Sequence, residues 1–302
     1  MDGLSHEILQ NWQVRKTKAQ KLAFIEMMQR RIPGLRVEEG GFPRCRNLVL
    51  GDVETAKVVF TAHYDTCARL PFPNFVTPKS LLIYLGYSVL IALPFLALML
   101  GLTTLLAPRF GMAGAFLGMF GGFGAMIYVF MLGPANPHTV NDNTSGVLTL
   151  VEAIARMSGE ERANCAFVFF DHEENGLLGS GWFASKHRKT MKNKLLVNFD
   201  CVSDGDDFLF VQSRKARKTY GEELQIAFPE APGKTLHFES TLSAFYPSDQ
   251  ANFPVGVGVA ALQRKPVLGL YMSRIHTPKD TVLQEENLAY FAEGAKKLVS
   301  LL

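Results

Sequence analysis

Five short segments of this 302-residue chain carry side chains that can ligate a cation or move a proton. They are Ala62-His63-Tyr64-Asp65, Asn141-Asp142-Asn143-Thr144-Ser145-Gly146, Asp171-His172-Glu173-Glu174-Asn175-Gly176, Asn198-Phe199-Asp200 and Ile275-His276-Thr277-Pro278. Mixed sets of His and carboxylate suit zinc and recur in hydrolytic sites. Two metal ions about 3.5–4 Å apart need a bridging carboxylate, and a neighbouring carboxylate that binds no metal can serve as base. Adjacent Glu173 and Glu174 can divide those two jobs, because neighbouring side chains outside a helix point differently. Singly, a His-x-Asp is more often structural, a Glu-Glu pair is usually a solvated surface, and an Asp-Asn-Thr-Ser run before a helix is usually an N-cap. Five such segments in one order, several of them at the ends of apolar runs, call for a common purpose.

The elements that must position these residues are legible from periodicity. Residues from about His6 to Arg31 read as largely helical, with Leu9 and Trp12, then Phe24, Met27 and Met28, on an apolar face. Arg46–Leu50, Val58–Ala62, Leu195–Phe199, Phe208–Val211, Gly256–Ala261 and Gly269–Met272 read as strands, and Ala166–Phe170 as a strand buried on both faces. Ser145–Met157, Leu177–Lys189 and Asn287–Leu301 read as helices. Strands alternating with helices predict an α/β three-layer sandwich, with a mixed, largely parallel sheet between helices. In open sheets of this kind sites form beyond the carboxyl ends of the strands. His63, Glu173, Glu174 and Asp200 all follow strand-like runs and are expected to converge there.

The ordered set AHYD, NDNTSG, DHEENGLLGS, NFD and IHTPKD resembles the M28 zinc peptidases, over residues 45–66 and 134–302. The resemblance implies a mixed β-sheet flanked by helices and two Zn2+ ions. It implies that His63, Asp142 and Asp200 bind one ion, that Asp142, Glu174 and His276 bind the other, and that Asp142 is the bridge. Glu173 would be the general base and then the proton donor to the leaving amine. Asp65 would hydrogen-bond His63 and fix its tautomer. Phe245-Tyr246-Pro247-Ser248-Asp249-Gln250 is similar to the family's Tyr-x-Ser-Asp-His stretch, so Tyr246 would donate to the developing oxyanion. Gln250 departs from that pattern.

A second departure is the loop between His63-x-Asp65 and Asp142. From Leu81 to Leu106, and again from Phe110 to Leu132, the chain is almost wholly apolar, and Arg109 is the single charge between Ser80 and Pro134. Each run is long enough for a bilayer core of about 30 Å. Two transmembrane helices are therefore expected, turning at Ala107-Pro108-Arg109, with small-residue spacing such as Gly114-x-x-x-Gly118 for close packing. The resulting organisation is residues 1–79 and 134–302 as one peptidase domain, with 80–133 an inserted membrane hairpin whose residues 81–132 meet lipid. Two spans return the chain to its starting side. The basic N-terminal stretch and the absence of a secretory signal in the first thirty residues place the catalytic domain on the cytoplasmic side.

Composition agrees. A net charge of +3 indicates no acidic partner and no nucleic acid. Arg15, Lys16, Lys18, Lys21, Arg30 and Arg31 crowd the N-terminal stretch, and another basic cluster spans Lys186–Lys194; both read as solvated helix faces or as attraction to anionic lipid. Cys45, Cys67, Cys165 and Cys201 suggest neither a disulfide framework nor a thiolate metal site.

The expected function is a membrane-anchored aminopeptidase acting on peptides, with the hairpin emerging near the mouth of the site. The alternatives are a glutaminyl cyclase-like enzyme, which resembles M28 peptidases but uses one zinc, an inactive membrane scaffold, and a carboxypeptidase or deacylase. The full double ligand set favours hydrolysis, and a scaffold would have lost ligands or the base.

Overall fold

The computed structural model describes residues 1–302. Nine strands form the central sheet: β1 (Arg36–Gly40), β2 (Cys45–Leu50), β3 (Val58–His63), β4 (Cys165–Phe170), β5 (Leu195–Phe199), β6 (Asp207–Gln212), β7 (Thr235–Ser240), β8 (Gly256–Lys265) and β9 (Gly269–Tyr271). Their order is β1-β2-β4-β3-β5-β8-β6-β7, with β9 against β8. The helices are α1 (Gly3–Asn11), α2 (Lys18–Arg31), α3 (Leu81–Ile127), α4 (Gly146–Arg156), α5 (Gly159–Ala163), α6 (Leu178–Lys186), α7 (Arg188–Met191), α8 (Arg214–Ala227) and α9 (Glu285–Leu301).

The mixed sheet flanked by helices is as expected, but it is less parallel than the sequence suggests. The four adjacent strands β4-β3-β5-β8 run parallel, as do β6 and β7. The remaining pairings are antiparallel. All-buried strands such as Cys-Ala-Phe-Val-Phe-Phe in β4 make the central part, where both faces are covered. The edge strands β1 and β7 are polar and partly exposed, so no apolar run announced them. Helix α8, amphipathic but charge-rich, was missed for the same reason.

The N-terminal helical stretch is two helices. The first ends at Asn11, with Trp12 N donating back to Ile8 O; Thr17 starts the second through a capping box with Gln20, and Phe24, Met27 and Met28 do face the core. One face of the sheet packs on α1, α2, α4, α8 and α9 through a cluster that includes Phe24, Phe60, Phe167, Phe199 and Phe291. The other face packs on α6 and α7 through Phe170, Phe183 and Met191.

The apolar segment is a single helical element long and apolar enough to cross a membrane, Leu81–Leu132, with mean hydropathy 2.4 in its window and none of that window buried in the protein. The expected turn at Ala107-Pro108-Arg109 is helical. The break in helical dihedrals falls at Gly111 (φ 58°, ψ −139°), a conformation that glycine adopts without a Cβ clash. Beyond it, a Cβ on Gly114, Gly118 or Gly122 would overlap Leu106, Thr103 and Met99 respectively.

Candidate metal centre

Three neighbouring parallel strands deliver the first part of the site. His63 ends β3, the Asp171–Glu174 turn follows β4, and Asp200 follows β5; in register, His63 pairs with Phe170 and Thr61 with Asn198. The carboxyl ends of adjacent strands therefore place His63, Glu173, Glu174 and Asp200 along one rim. The turn before α4 brings Asp142, and the loop after β9 brings His276.

Asp142 lies between the two imidazoles. Its Oδ1 is 3.4 Å from His63 Nε2, and its Oδ2 is 2.9 Å from His276 Nε2. Asp200 Oδ1 is 3.6 Å from His63 Nε2, and Glu174 Oε2 is 3.4 Å from His276 Nε2. Glu173 Oε2 approaches His63 Nε2 to 4.0 Å. The donor atoms of His63, Asp142 and Glu174, and those of His63, Glu173 and Asp200, each gather within 4.8 Å. This donor set fits zinc, and Glu174 Oε1 is buried without any hydrogen-bond partner.

Two cysteines, which nothing in the sequence pattern placed there, also stand at the centre. Cys67 groups with Glu174 and His276, and Cys201 with Asp142 and Asp200. Burial, with the nearby carboxylates, pushes both thiols well above their ordinary range. All four cysteines are free and buried.

The charges are tightly coupled. Burial lifts Glu174 to about 8, against the pull of His276, and lifts Glu173 well above the carboxylate range. Burial opposes the charge on His276, but Glu174 and Asp142 outweigh it and raise the imidazole to about 9. His63 is likewise raised against burial by Glu173, Asp142 and Asp200. Asp142 is held low despite burial, by its bonds to His276 and His63. A cluster so rich in carboxylate attracts protons or cations.

In the polar run Asn141–Ser145, Ser145 makes no side-chain cap bond to α4, while Asn143 Oδ1 accepts from Gly146 N at 2.9 Å; the side chains of the run also staple two loops together. Asn143 Nδ2 donates to Phe199 O at 3.0 Å, and Asn143 Oδ1 accepts from Cys201 N at 3.2 Å. Asn141 Oδ1 accepts from Ser203 N, and Ser145 Oγ from Val202 N, both at 2.9 Å. A Cβ at Gly146 would overlap Phe199 O, so α4 can start this close to β5 only with glycine. His276 itself (φ 60°), Cys201 (φ 56°) beside Asp200 and His172 (φ 56°) beside Glu173 occupy the left-handed region. Such conformations cost about 1–3 kcal/mol each and concentrate at functional sites.

Asp65 differs from its expected part. His63 Nδ1 pairs with the Asp65 carbonyl at 3.1 Å, while the carboxylate stands 3.8 Å away. That carboxylate instead accepts the backbone N–H of Glu173 at 3.0 Å and of Glu174 at 3.3 Å. Tyr246 lines the cleft, but its hydroxyl donates to Asp200 O at 3.1 Å, which leaves it turned away from an oxyanion role in this conformation. Gln250 donates to Tyr246 O at 2.7 Å and accepts from Asn198 at 3.1 Å, so it braces this segment.

Sequence reasoning passed over several supports. Asp280, within the Ile-His-Thr-Pro-Lys-Asp run, accepts the backbone N–H groups of Asn141 at 2.8 Å and Asp142 at 3.0 Å. A carboxylate four residues after a candidate ligand was the available signal. Arg15 and Lys21, read as surface charge, are buried. Lys21 Nζ binds Asp171 Oδ1 at 2.6 Å at the start of the Glu173 turn. The Arg15 guanidinium spans Thr144 Oγ1, at 3.2 Å, and the Tyr64 carbonyl, and burial lowers it to about 10. The cleft, of about 330 Å³, is walled by Val76, Tyr84, Leu177 and Ile275 as well as the charged residues.

None of the curated proteins compared matches the sequence significantly. Among solved structures the fold is similar to a Zn-dependent exopeptidase from Parabacteroides distasonis, at 12% identity over 98% of this chain and 96% of that one, with a TM-score of 0.58. A glutaminyl cyclase from Porphyromonas gingivalis is similar at 13% identity, with coverage of 98% and 96% and a TM-score of 0.56. The LapA aminopeptidase of Legionella pneumophila is similar at 13% identity, with coverage of 98% and 67% and a TM-score of 0.54. At these identities the likeness is one of fold. The sequence family reaches further, because its match extends over residues 127–297, from the end of the apolar element into the last helix and through four of the five chemical segments. The chain belongs to peptidase family M28.

Proposed function

We propose that this M28 peptidase is a membrane-anchored di-zinc aminopeptidase. The observation that carries the reading is the placement of Asp142, whose two oxygens face His63 and His276 on opposite sides. In this reading His63, Asp142 and Asp200 hold one Zn2+, and Asp142, Glu174 and His276 hold the other. Bound zinc supplies an acidified water and polarises the scissile carbonyl. Glu173, next to the ligands but bonded to neither imidazole, takes the proton of the attacking water and returns it to the leaving amine. Asp65 holds the Glu173-Glu174 backbone, and Asp280 holds the Asp142 backbone. Tyr246 serves the oxyanion only by releasing Asp200 O.

The membrane part of the proposal rests on the break at Gly111 and on the glycine face at Gly114, Gly118 and Gly122, against Leu106, Thr103 and Met99. Residues that far apart along one straight helix would be well separated at 1.5 Å per residue. The insertion, residues 80–133, is therefore read as two antiparallel spans that return to one side, with residues 1–79 and 134–302 as the peptidase domain. The positive N-terminal region favours the cytoplasmic side.

The test uses the full chain purified in detergent. Bound zinc is measured per chain while free-amine, N-blocked and Gln-initiated peptides are assayed. About two zinc ions with release of residues from free-amine peptides alone is expected. Glu173→Gln should keep zinc and lose about 10²–10⁴-fold in kcat. One zinc with cyclisation of the Gln-initiated peptide would replace the reading by a cyclase, and cleavage of blocked peptides would replace it by a carboxypeptidase or deacylase.

A further inference from the structure

The apolar element leaves the peptidase fold through residues 66–80 and 132–139, beside which runs a third segment, 263–281, made of the end of β8, β9 and the loop after it. Their contacts make them one surface. Arg69 N donates to Pro134 O at 2.8 Å, and Ser80 Oγ donates to Leu268 O at 3.3 Å. Phe72 packs on Phe130 at 5.9 Å between ring centres, and Phe75 packs on Tyr87 at 5.1 Å. Lys16 Nζ caps the far end of the apolar element at Met131 O, 2.5 Å away.

The unpaired side-chain charge of this surface is positive. The three segments carry Arg69, Lys79, Arg264, Lys265, Arg274 and Lys279, and their single carboxylate, Asp280, is buried and spent on Asn141 and Asp142. Lys79, Arg264 and Arg274 have acidic partners in Glu239, Asp207 and Asp204. Arg69, Lys265 and Lys279 are exposed and form no ion pair. Between the cations stand apolar tips that a water-facing loop does not need. Val267, at the turn between β8 and β9, is 84% exposed, and Leu242, beyond β7, is 94% exposed. Apolar tips flanked by lysine and arginine suit the boundary between lipid headgroups and acyl chains.

We propose that this collar docks the peptidase body on an anionic lipid surface, with Val267 dipping below the headgroups and Arg69, Lys265 and Lys279 against lipid phosphates. The proposal rests on the reading that the apolar element spans a membrane. It adds an orientation for the site, because Tyr84, in the first turn of α3, lines the cleft together with Asn74 and Val76. Docking holds the cleft mouth at the bilayer surface.

The test places a nitroxide on Val267→Cys in the full chain, where all four native cysteines are buried. The labelled protein goes into nanodiscs of phosphatidylcholine alone or with phosphatidylserine, and accessibility to oxygen is compared with accessibility to a water-soluble nickel chelate. A second label on Leu117→Cys, in the apolar element, reports the span itself. The expected result is a lipid-like Val267 signal in the anionic discs that turns water-like in neutral discs, in high salt and in the R69E/K265E/K279E variant. A water-like Val267 signal in anionic discs with Leu117 in lipid overturns the collar and leaves the span standing. A water-like Leu117 signal overturns the span and the collar with it. A Val267 signal that stays lipid-like after charge reversal overturns the role of anionic lipid.

Discussion

The carboxylate of Asp65 accepts the backbone N–H of Glu173 at 3.0 Å, although it stands two residues from His63 and in a position where a partner for that imidazole was expected. The ring nitrogen is served by the Asp65 carbonyl instead. The Asp65 side chain thus sets where the Glu173 and Glu174 carboxylates point.

Asp65→Ala should therefore act on chemistry more than on metal binding. We expect kcat to fall about 10–100-fold, the usual cost of losing an outer-shell partner, while zinc affinity through His63 changes little. Equal losses in kcat and in zinc affinity, from competition titration with a chelator, would return Asp65 to the role of orienting His63.

Asp280 offers the opposite contrast. Its two oxygens hold the backbone of Asn141 and Asp142, whose carboxylate lies between the His63 and His276 imidazoles. Asp280→Ala leaves two buried N–H groups without acceptors, each costing about 1–3 kcal/mol. Zinc affinity should drop about 10–100-fold, read by the same competition titration; unchanged affinity would show that Asp142 needs no such support.

The buried pair Lys21–Asp171 ties α2 to the turn that carries Glu173. Removing one member of a buried pair costs about 3–5 kcal/mol because a charge is left uncompensated. Asp171 also accepts Arg46 N at 3.0 Å, which places Lys21→Met near the lower end of that range. Denaturant unfolding of the variant, with and without zinc, measures the loss; a change below about 1 kcal/mol would mean that water replaces the lysine.

Away from the centre, Glu38 on β1 bonds His187 at 2.9 Å and Lys186 at 2.7 Å. The bond to His187, then Lys186 against the opposing effect of burial, lowers its carboxyl to about 2. A depressed carboxyl contributes stability above its unfolded value near 4.5 and loses it as pH falls toward 2. Solvent screening trims the contribution to about 1 kcal/mol. The difference in unfolding midpoint between the parent and Glu38→Gln should shrink as pH falls through 4.5 toward 2. A difference that grows on acidification would contradict the sign.

Local sequence determined the chemistry and most of the scaffold. An all-apolar β4 and β3 must be central strands, since both faces need cover. The polar segments behind them must then lie at strand ends, and the ordered His and carboxylate set carries the family resemblance. The apolar element was equally plain, because residues 81–132 carry a single charge. Tertiary structure alone decided which partners meet. Asp142 and His276 lie 134 positions apart, and Lys21 and Asp171 lie 150 apart. Such pairs follow from strand order β4-β3-β5 and from loop conformation, neither of which leaves a period in the sequence. The same holds for Arg15 and Lys21, whose neighbours in the chain are ordinary surface residues, and for the break at Gly111 rather than Pro108. Burial and backbone torsion are properties of the packed chain, and a residue's type limits them without choosing among them.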